Sequence, residues 1–341
     1  MDMAGRNPDA AANTPLSSDQ AAHLHRALSS DQAAQLRRVP SAHAASWTTH
    51  ESCFNAESHD FVKGNSIGSG SFSQVFEGTF KGRRVAAKQH HAFTPAGLEL
   101  YGIADDPDGF AVIVREVEAE IEAFLRVGRH PHLLDFVGIG VGYLKGQPMP
   151  VYILSEFIKE GTLEPWLKNN AKDDEMGRVV VEICQGLDFM HGRNFIHRDV
   201  KPANILLKSG HTVKLADFGL AATRGGPSIR TRTQTGTPSY AAPEIAMSGK
   251  YGSKVDIYAL GCIILSWLQH DEPAPAHKRR LAQLEGISSK TPFRRVACQC
   301  VDTDPNSRPT ASEVIARMET VEETVEETVG ETTMPCRCWT M

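Results

Sequence analysis

Asp199, Lys201 and Asn204 put a carboxylate, an ammonium and a carboxamide into one short stretch, Ile196-His197-Arg198-Asp199-Val200-Lys201-Pro202-Ala203-Asn204-Ile205-Leu206-Leu207. A lone Asp in a loop says nothing. A carboxylate that can take a proton, beside a cation that can face an anion and an amide that can offer oxygen, is a set able to work on a charged group. The stretch reads as a short loop running into a β-branched and Leu-rich strand. A second carboxylate follows in Asp217-Phe218-Gly219, behind the strand-like Val213-Lys214-Leu215.

The order His-Arg-Asp-x-Lys-x-x-Asn resembles the catalytic loop of protein kinases. The resemblance implies phosphoryl transfer, in which the protein must hold the nucleotide phosphates, let metal neutralise their charge and aim the acceptor hydroxyl. It implies that Asp199 accepts or orients the hydroxyl proton and that Lys201 stabilises the transferring phosphoryl. Asn204 and Asp217 would hold Mg2+, with ATP as the donor. Three further segments answer the same demands. The turn Gly68-Ser69-Gly70-Ser71-Phe72-Ser73-x-Val75 lets backbone N–H groups approach phosphate without a Cβ in the way. It departs from the family's G-x-G-x-x-G at Ser73. Lys88 ends the apolar run Val85-Ala86-Ala87, where the resemblance pairs it with the ATP phosphates and with a helix glutamate. Of Glu116, Glu118, Glu120 and Glu122, counting back from Arg129-His130-Pro131-His132-Leu133 selects Glu120, and the others read as a solvated helix face.

Leu154-Ser155-Glu156-Phe157-Ile158 is similar to the hinge between kinase lobes. By that match Ser155 guards the back of the adenine pocket, while the Glu156 carbonyl and the Ile158 backbone meet the base edge. Ile67, Val75, Ala86 and Leu206 would enclose the base, with Gly68, Ser69, Gly70, Ser71, Phe72 and Ser73 over the phosphates. Ala242-Pro243-Glu244 resembles the end of the family's activation segment, and Arg308 the buried arginine that pairs with its glutamate. Asp256 resembles the aspartate that props the catalytic loop. Lys201 together with Gly236-Thr237-Pro238-x-Tyr240 resembles serine/threonine kinases. The hinge and Gly161-Thr162-Leu163 are similar to the tyrosine-kinase-like group. Arg198 beside Asp199 implies an activation loop ordered by phosphate, with Thr231, Thr233 and Thr235 as candidate sites for an upstream activating kinase.

These side chains need elements to carry them. The resemblance implies an α+β, two-lobed protein kinase fold: a small β-rich N-lobe with one long helix and a larger α-helical C-lobe, over residues 60–318. Strands are expected at the glycine turn, at Val85–Lys88, near Leu133–Val137 and near Val151–Phe157. Apolar Val117, Ile121, Phe124 and Leu125 at helical spacing predict a helix over about Val114–Val127. Residues 89–112 are rich in Pro, Gly and Asp and read as a looped insertion.

Residues 1–59 read as a low-complexity tail, with Leu16-Ser17-Ser18-Asp19-Gln20-Ala21-Ala22 repeated twelve residues later from Leu28. Residues 319–341 read as an acidic Glu-Glu-Thr-Val tail. The 341 residues are 41% hydrophobic and 23% charged, ordinary globular material. The net charge of −5 gives no reason to expect nucleic acid as a partner. No apolar run approaches the roughly 18 residues that span a bilayer. Seven cysteines without paired C-x-x-C spacing suit a reducing compartment, so the expectation is a soluble, cytoplasmic enzyme acting on protein substrates. The rival reading, a nucleotide-binding pseudokinase acting as a scaffold, would show loss of Lys88, Asp199, Asn204 or Asp217. All four are present.

Overall fold

The computed structural model describes residues 51–70, 73–94, 107–144, 147–168, 172–209, 212–223, 239–247, 251–271 and 292–319. Thr231, Thr233, Thr235, Ser71, Phe72, the duplicated stretch and residues 320–341 lie outside them.

The first lobe is a six-stranded sheet: β1 (Cys53–Asn55), β2 (Phe61–Ser69), β3 (Ser73–Phe80), β4 (Arg83–His90), β5 (Phe136–Leu144) and β6 (Gln147–Glu156), in the order β1-β5-β6-β4-β3-β2. All neighbours are antiparallel except β1, which runs parallel to β5. A two-residue turn at Lys81 and Gly82 joins β3 to β4, with Phe80 opposite Arg83. One long helix, α1 (Pro107–Val127), lies on this sheet. Its Val117 and Ile121 meet Ile139, Val141 and Ile153 from β5 and β6, the stripe expected of a helix with one buried face.

Four features differ from the sequence reading. Strand β1 joins the sheet although it falls within residues 1–59, which were expected to form a tail. Helix α1 begins at Pro107 rather than Val114, so its first turns take in part of the expected looped insertion. Strand β5 begins at Phe136 because Leu133 is drawn to the other lobe, where it bridges Leu215 and is 1% exposed. Strand β6 begins at Gln147, ahead of the expected Val151, despite Pro148 and Pro150. Among the described residues β4 pairs with β6 only over Ile153–Glu156, so those prolines lie where no ladder bond is asked of them on that side.

The second lobe holds α2 (Leu163–Lys168), α3 (Asp173–Gly192), α4 (Pro243–Met247), α5 (Lys254–Gln269), α6 (Pro292–Cys300) and a last helix α7 over 311–319. Short strands β7 (Phe195–Ile196), β8 (Ile205–Lys208), β9 (Thr212–Leu215) and β10 (Ala222–Thr223) pair as β8–β9 and β7–β10, both antiparallel. Helix α5 is apolar nearly all round and is buried accordingly, from Val255 to Leu265. It packs with Met176, Val180, Ile183 and Leu187 of α3 and with Val296 and Ala297 of α6 in one core. No helix among the described residues is long and apolar enough to cross a membrane.

Arg308, fully buried at its side chain, grips Glu244 with two bonds of 2.6 and 2.9 Å. It also donates to the carbonyls of Asp302 and Lys254. Removing one partner of such a pair leaves a buried charge uncompensated. Glu244→Ala should therefore lower the unfolding free energy by about 3–5 kcal/mol in urea titration. Glu122→Ala, which breaks the exposed pair with Arg126 on α1, should cost less than about 0.5 kcal/mol.

Candidate active site

Lys88 lies near the end of β4, opposite Val75 on one side and Ile153 on the other. Its Nζ donates to Glu120 Oε1 and Oε2 at 2.7 and 2.9 Å and to Asp217 Oδ1 at 2.7 Å. Sheet, helix and the turn after β9 thus meet on one ammonium. Burial opposes the charge on Lys88, but the carboxylates of Asp217 and Glu120 outweigh it and hold the ammonium above the ordinary lysine value. Burial also acts against Asp217, and Lys88 overcomes it, pulling the carboxyl down to about 2. Glu120 goes the other way, raised by burial despite Lys88. Gly219 sits against this cluster: a Cβ there would lie 3.2 Å from Asp217 Oδ1 and 3.3 Å from Glu120 Oε2. Of the other helix glutamates, Glu122 is exposed and bonded to Arg126. Glu118 is buried at 8% exposure, so it does not belong to a solvated face.

The loop bearing Asp199 is held from below. The carboxylate of Asp256, 1% exposed in the first turn of α5, accepts the backbone N–H of His197 at 2.9 Å and of Arg198 at 2.8 Å. His191 Nε2 lies 2.8 Å from the same group. Burial raises the cost of that charge, and these bonds more than offset it, so the Asp256 carboxyl titrates below its usual range. The anchoring allows Arg198 to sit at φ 68°, a strained left-handed backbone for a non-glycine residue. Asp217, at φ 64°, shares that strain. Within the loop, Lys201 Nζ donates to Asp199 Oδ2 at 2.7 Å, and Asn204 Nδ2 donates to the same oxygen at 2.7 Å. Asn204 Nδ2 also donates to the Asp199 carbonyl at 2.9 Å, which leaves its own oxygen for another partner. Phe218 is buried edge-on against Phe124 of α1, with the His197 ring tilted against it at 5.6 Å.

Between the lobes runs a cleft of about 740 Å³. Ile67, Gly68, Ser69, Gly70, Ser73, Val75 and Ala86 line it from the sheet, and Leu206 and Ala216 from the opposite lobe. Ser155, Glu156 and Ile158 also line it, as do Lys88, Glu120, Asp199, Lys201, Asn204 and Asp217. The Glu156 side chain turns away to Lys214 at 2.7 Å and Lys208 at 3.0 Å. A smaller cavity of about 300 Å³ shares Lys201 and Ala203 with the cleft and continues past them to Tyr240, Leu167 and Ser266.

Sequence reasoning missed His90, which also lines the cleft. It follows Lys88 by two residues on an alternating strand, and that spacing was the available signal. The neighbouring His91 lies with Nε2 3.1 Å from the Gly70 carbonyl, tying the glycine turn to the end of β4.

A family model described as protein kinase domain matches residues 61–318. The chain belongs to the protein kinase family. Among curated relatives, a Dictyostelium discoideum protein described as a probable serine/threonine-protein kinase is 27% identical over 73% of this chain and 18% of its own. The MAP kinase kinase kinase wis4 of Schizosaccharomyces pombe is 30% identical, over 74% of this chain and 19% of its own. The serine/threonine-protein kinase VIK of Arabidopsis thaliana is 26% identical, over 77% of this chain and 60% of its own. The chain spans 15 to 24% of the length of the first five such relatives.

The half-buried His90 gives this kinase a pH signature. Burial, with Lys88 and His91 nearby, pushes His90 down from 6.5 to about 4. An unfolded chain takes up this proton near pH 6.5, whereas the folded one resists until near pH 4. The contribution of His90 to stability is therefore whole above pH 6.5 and is lost as pH falls towards 4. His90→Gln should flatten the pH dependence of the urea midpoint in that window. An unchanged slope would mean that the imidazole is not held neutral by burial.

Proposed function

We propose that this kinase transfers the γ-phosphate of ATP to serine or threonine hydroxyls of protein substrates. The observation that carries the reading is the Lys88 ammonium fixed between Glu120 and Asp217 in the cleft that Asp199, Lys201 and Asn204 also line. In this reading Ile67, Val75, Ala86 and Leu206 sandwich the adenine. The backbone at Glu156 and Ile158 meets its edge behind Ser155, and the turn from Gly68 to Ser73 covers the phosphates. Lys88 grips the phosphates and Asp199 accepts or orients the proton of the attacking hydroxyl. Lys201, already on Asp199, neutralises charge on the group in transit.

The donor set also suits Mg2+. Asp217 and the oxygen of Asn204 are hard oxygen ligands. Among the described residues no group of three His, Cys, Asp or Glu forms a cage that would hold a metal without help. A hexacoordinate ion that keeps waters and takes phosphate oxygens fits such a partial site. Bound there, Mg2+ would neutralise the phosphate charge that develops during transfer. The protein substrate would approach over the smaller cavity, on the far side of Lys201 from the nucleotide.

Regulation follows from Arg198. Its Nε is buried with no hydrogen-bond partner among the described residues, close to the Tyr251 ring. A phosphate on Thr231, Thr233 or Thr235, added by an upstream kinase, would supply an acceptor for it. The use of ATP and the unpaired cysteine spacing favour an intracellular, cytoplasmic setting. The similarity of the hinge and of the Gly161-Thr162-Leu163 turn to the tyrosine-kinase-like group supports assignment to that group.

The test is transfer of labelled γ-phosphate from Mg-ATP to a basic protein substrate. Wild-type protein should label serine and threonine. Asp199→Asn should fall by about 10²–10⁴-fold, and Asp217→Asn should fall to background while keeping its fold. Labelling that survives in Asp217→Asn, or an inactive wild type, would refute the assignment.

A further inference from the structure

Strand β1 lies ahead of the segment that the family model matches, yet it is built into the sheet. Ile139 N donates to the Ser52 carbonyl at 3.1 Å and Ala56 N to the Val141 carbonyl at 2.9 Å, with Phe54 in register opposite Gly140. Strand alternation sends its side chains to opposite faces. On one face Cys53 packs against the cluster formed by Val117 and Ile121 of α1 with Ile139 and Ile153. On the other, Phe54 packs against the cluster of Phe61, Val85, Ala87 and Leu154, its ring 4.4 Å from that of Phe80. The partner strand is shaped to receive it. A Cβ at Gly140 would come within 3.1 Å of the Phe54 ring, and one at Gly138 within 2.9 Å of the Ser52 carbonyl.

Those two clusters carry the two halves of the ion pair at the head of the cleft. Ile121 adjoins Glu120 on α1, and Ala87 adjoins Lys88 on β4. We infer that β1 is a positioning element of the phosphoryl-transfer site: by packing on both clusters at the sheet edge, it holds the Glu120 helix in register with Lys88. The inference rests on the kinase reading. Its attachment is slight in backbone terms, three paired residues at the outer edge. Phe54 supplies the aromatic contact on one face, and Ala56 donates the backbone bond to β5 that follows the three paired residues.

The experiment uses the full chain with two independent lesions. Phe54→Ala empties the aromatic pocket. Ala56→Pro removes the N–H that reaches the Val141 carbonyl and leaves the pocket untouched. Each should lower kcat about fivefold or more by shifting the helix towards disengaged positions, while Phe54→Tyr, which keeps the ring, should restore it. Nucleotide-induced thermal shift checks that each variant is folded. The decisive readout is repetition in a Glu120→Gln background. Residues acting through one ion pair are not additive, so the same lesions should then cost less than about twofold. Equal kcat in wild type and both lesions would overturn the inference and leave the kinase reading intact. Full additivity with Glu120→Gln would also overturn it, since it would reduce β1 to a structural edge. A wild-type chain without phosphoryl transfer would overturn both readings.

Discussion

The charge on Lys88 is the constraint that the two lobes share. Two carboxylates, Glu120 and Asp217, approach the same point in a partly dry cleft, and side by side they would repel. A single ammonium at 2.7 Å from each makes the arrangement possible. Because the three groups sit on β4, on α1 and on the turn after β9, the bond forms only when all three elements are in register. The ion pair is thus a readout of the fold as much as a part of the site. Close packing adds to this, since a Cβ at Gly219 would press within 3.2–3.3 Å of Asp217 and Glu120 and push the carboxylates by a few tenths of an ångström.

A second constraint works on the backbone. Arg198 and Asp217 both hold left-handed conformations that ordinary residues resist, so the energy for them comes from outside the loops. Asp256 provides it on one side, through two backbone N–H bonds in a setting where a buried carboxylate has few alternatives. Phe218 provides it on the other by burying its ring between Phe124 and His197. The contacts run from α1 through Phe218 and His197 to α5. A shift of α1 would therefore disturb both the Lys88 bond and the loop that carries Asp199.

Much of this was legible in the sequence because the groups that do chemistry cluster within short loops of fixed spacing. Asp199, Lys201 and Asn204 share a loop, and Asp217 opens the next one. The choice of Glu120 among four glutamates also matched the pair that the fold brings together. What stayed hidden depends on partners far away in the chain. Glu118 looked solvated because its burial is decided by packing, not by its neighbours on the helix. Strand β1 looked like tail because three residues carry no periodicity, and its partner glycines lie more than eighty residues further on. The early start of β6 had no signal either: among the described residues β4 pairs with it only over Ile153–Glu156, so Pro148 and Pro150 can extend the strand at Gln147. His90 lacked any motif, and only the sheet face it shares with Lys88 brings it into the cleft.

The charge balance at the head of the cleft bears on the divalent cation proposed to accompany the nucleotide. Two cations, Lys88 and Lys201, face three carboxylates: Glu120, Asp199 and Asp217. Both cations are already committed, Lys88 to two of those carboxylates and Lys201 to Asp199. A triphosphate arriving alone would meet an excess of negative charge, and the backbone N–H groups of the glycine turn would be its main attraction. The carboxylate of Asp217, held near the bottom of its range at about 2, stays ionised at any physiological pH. Together with the free oxygen of Asn204 it favours a hard cation, and a cation placed there inverts the local sign. The acidic excess that would repel bare phosphate then becomes the means of holding it.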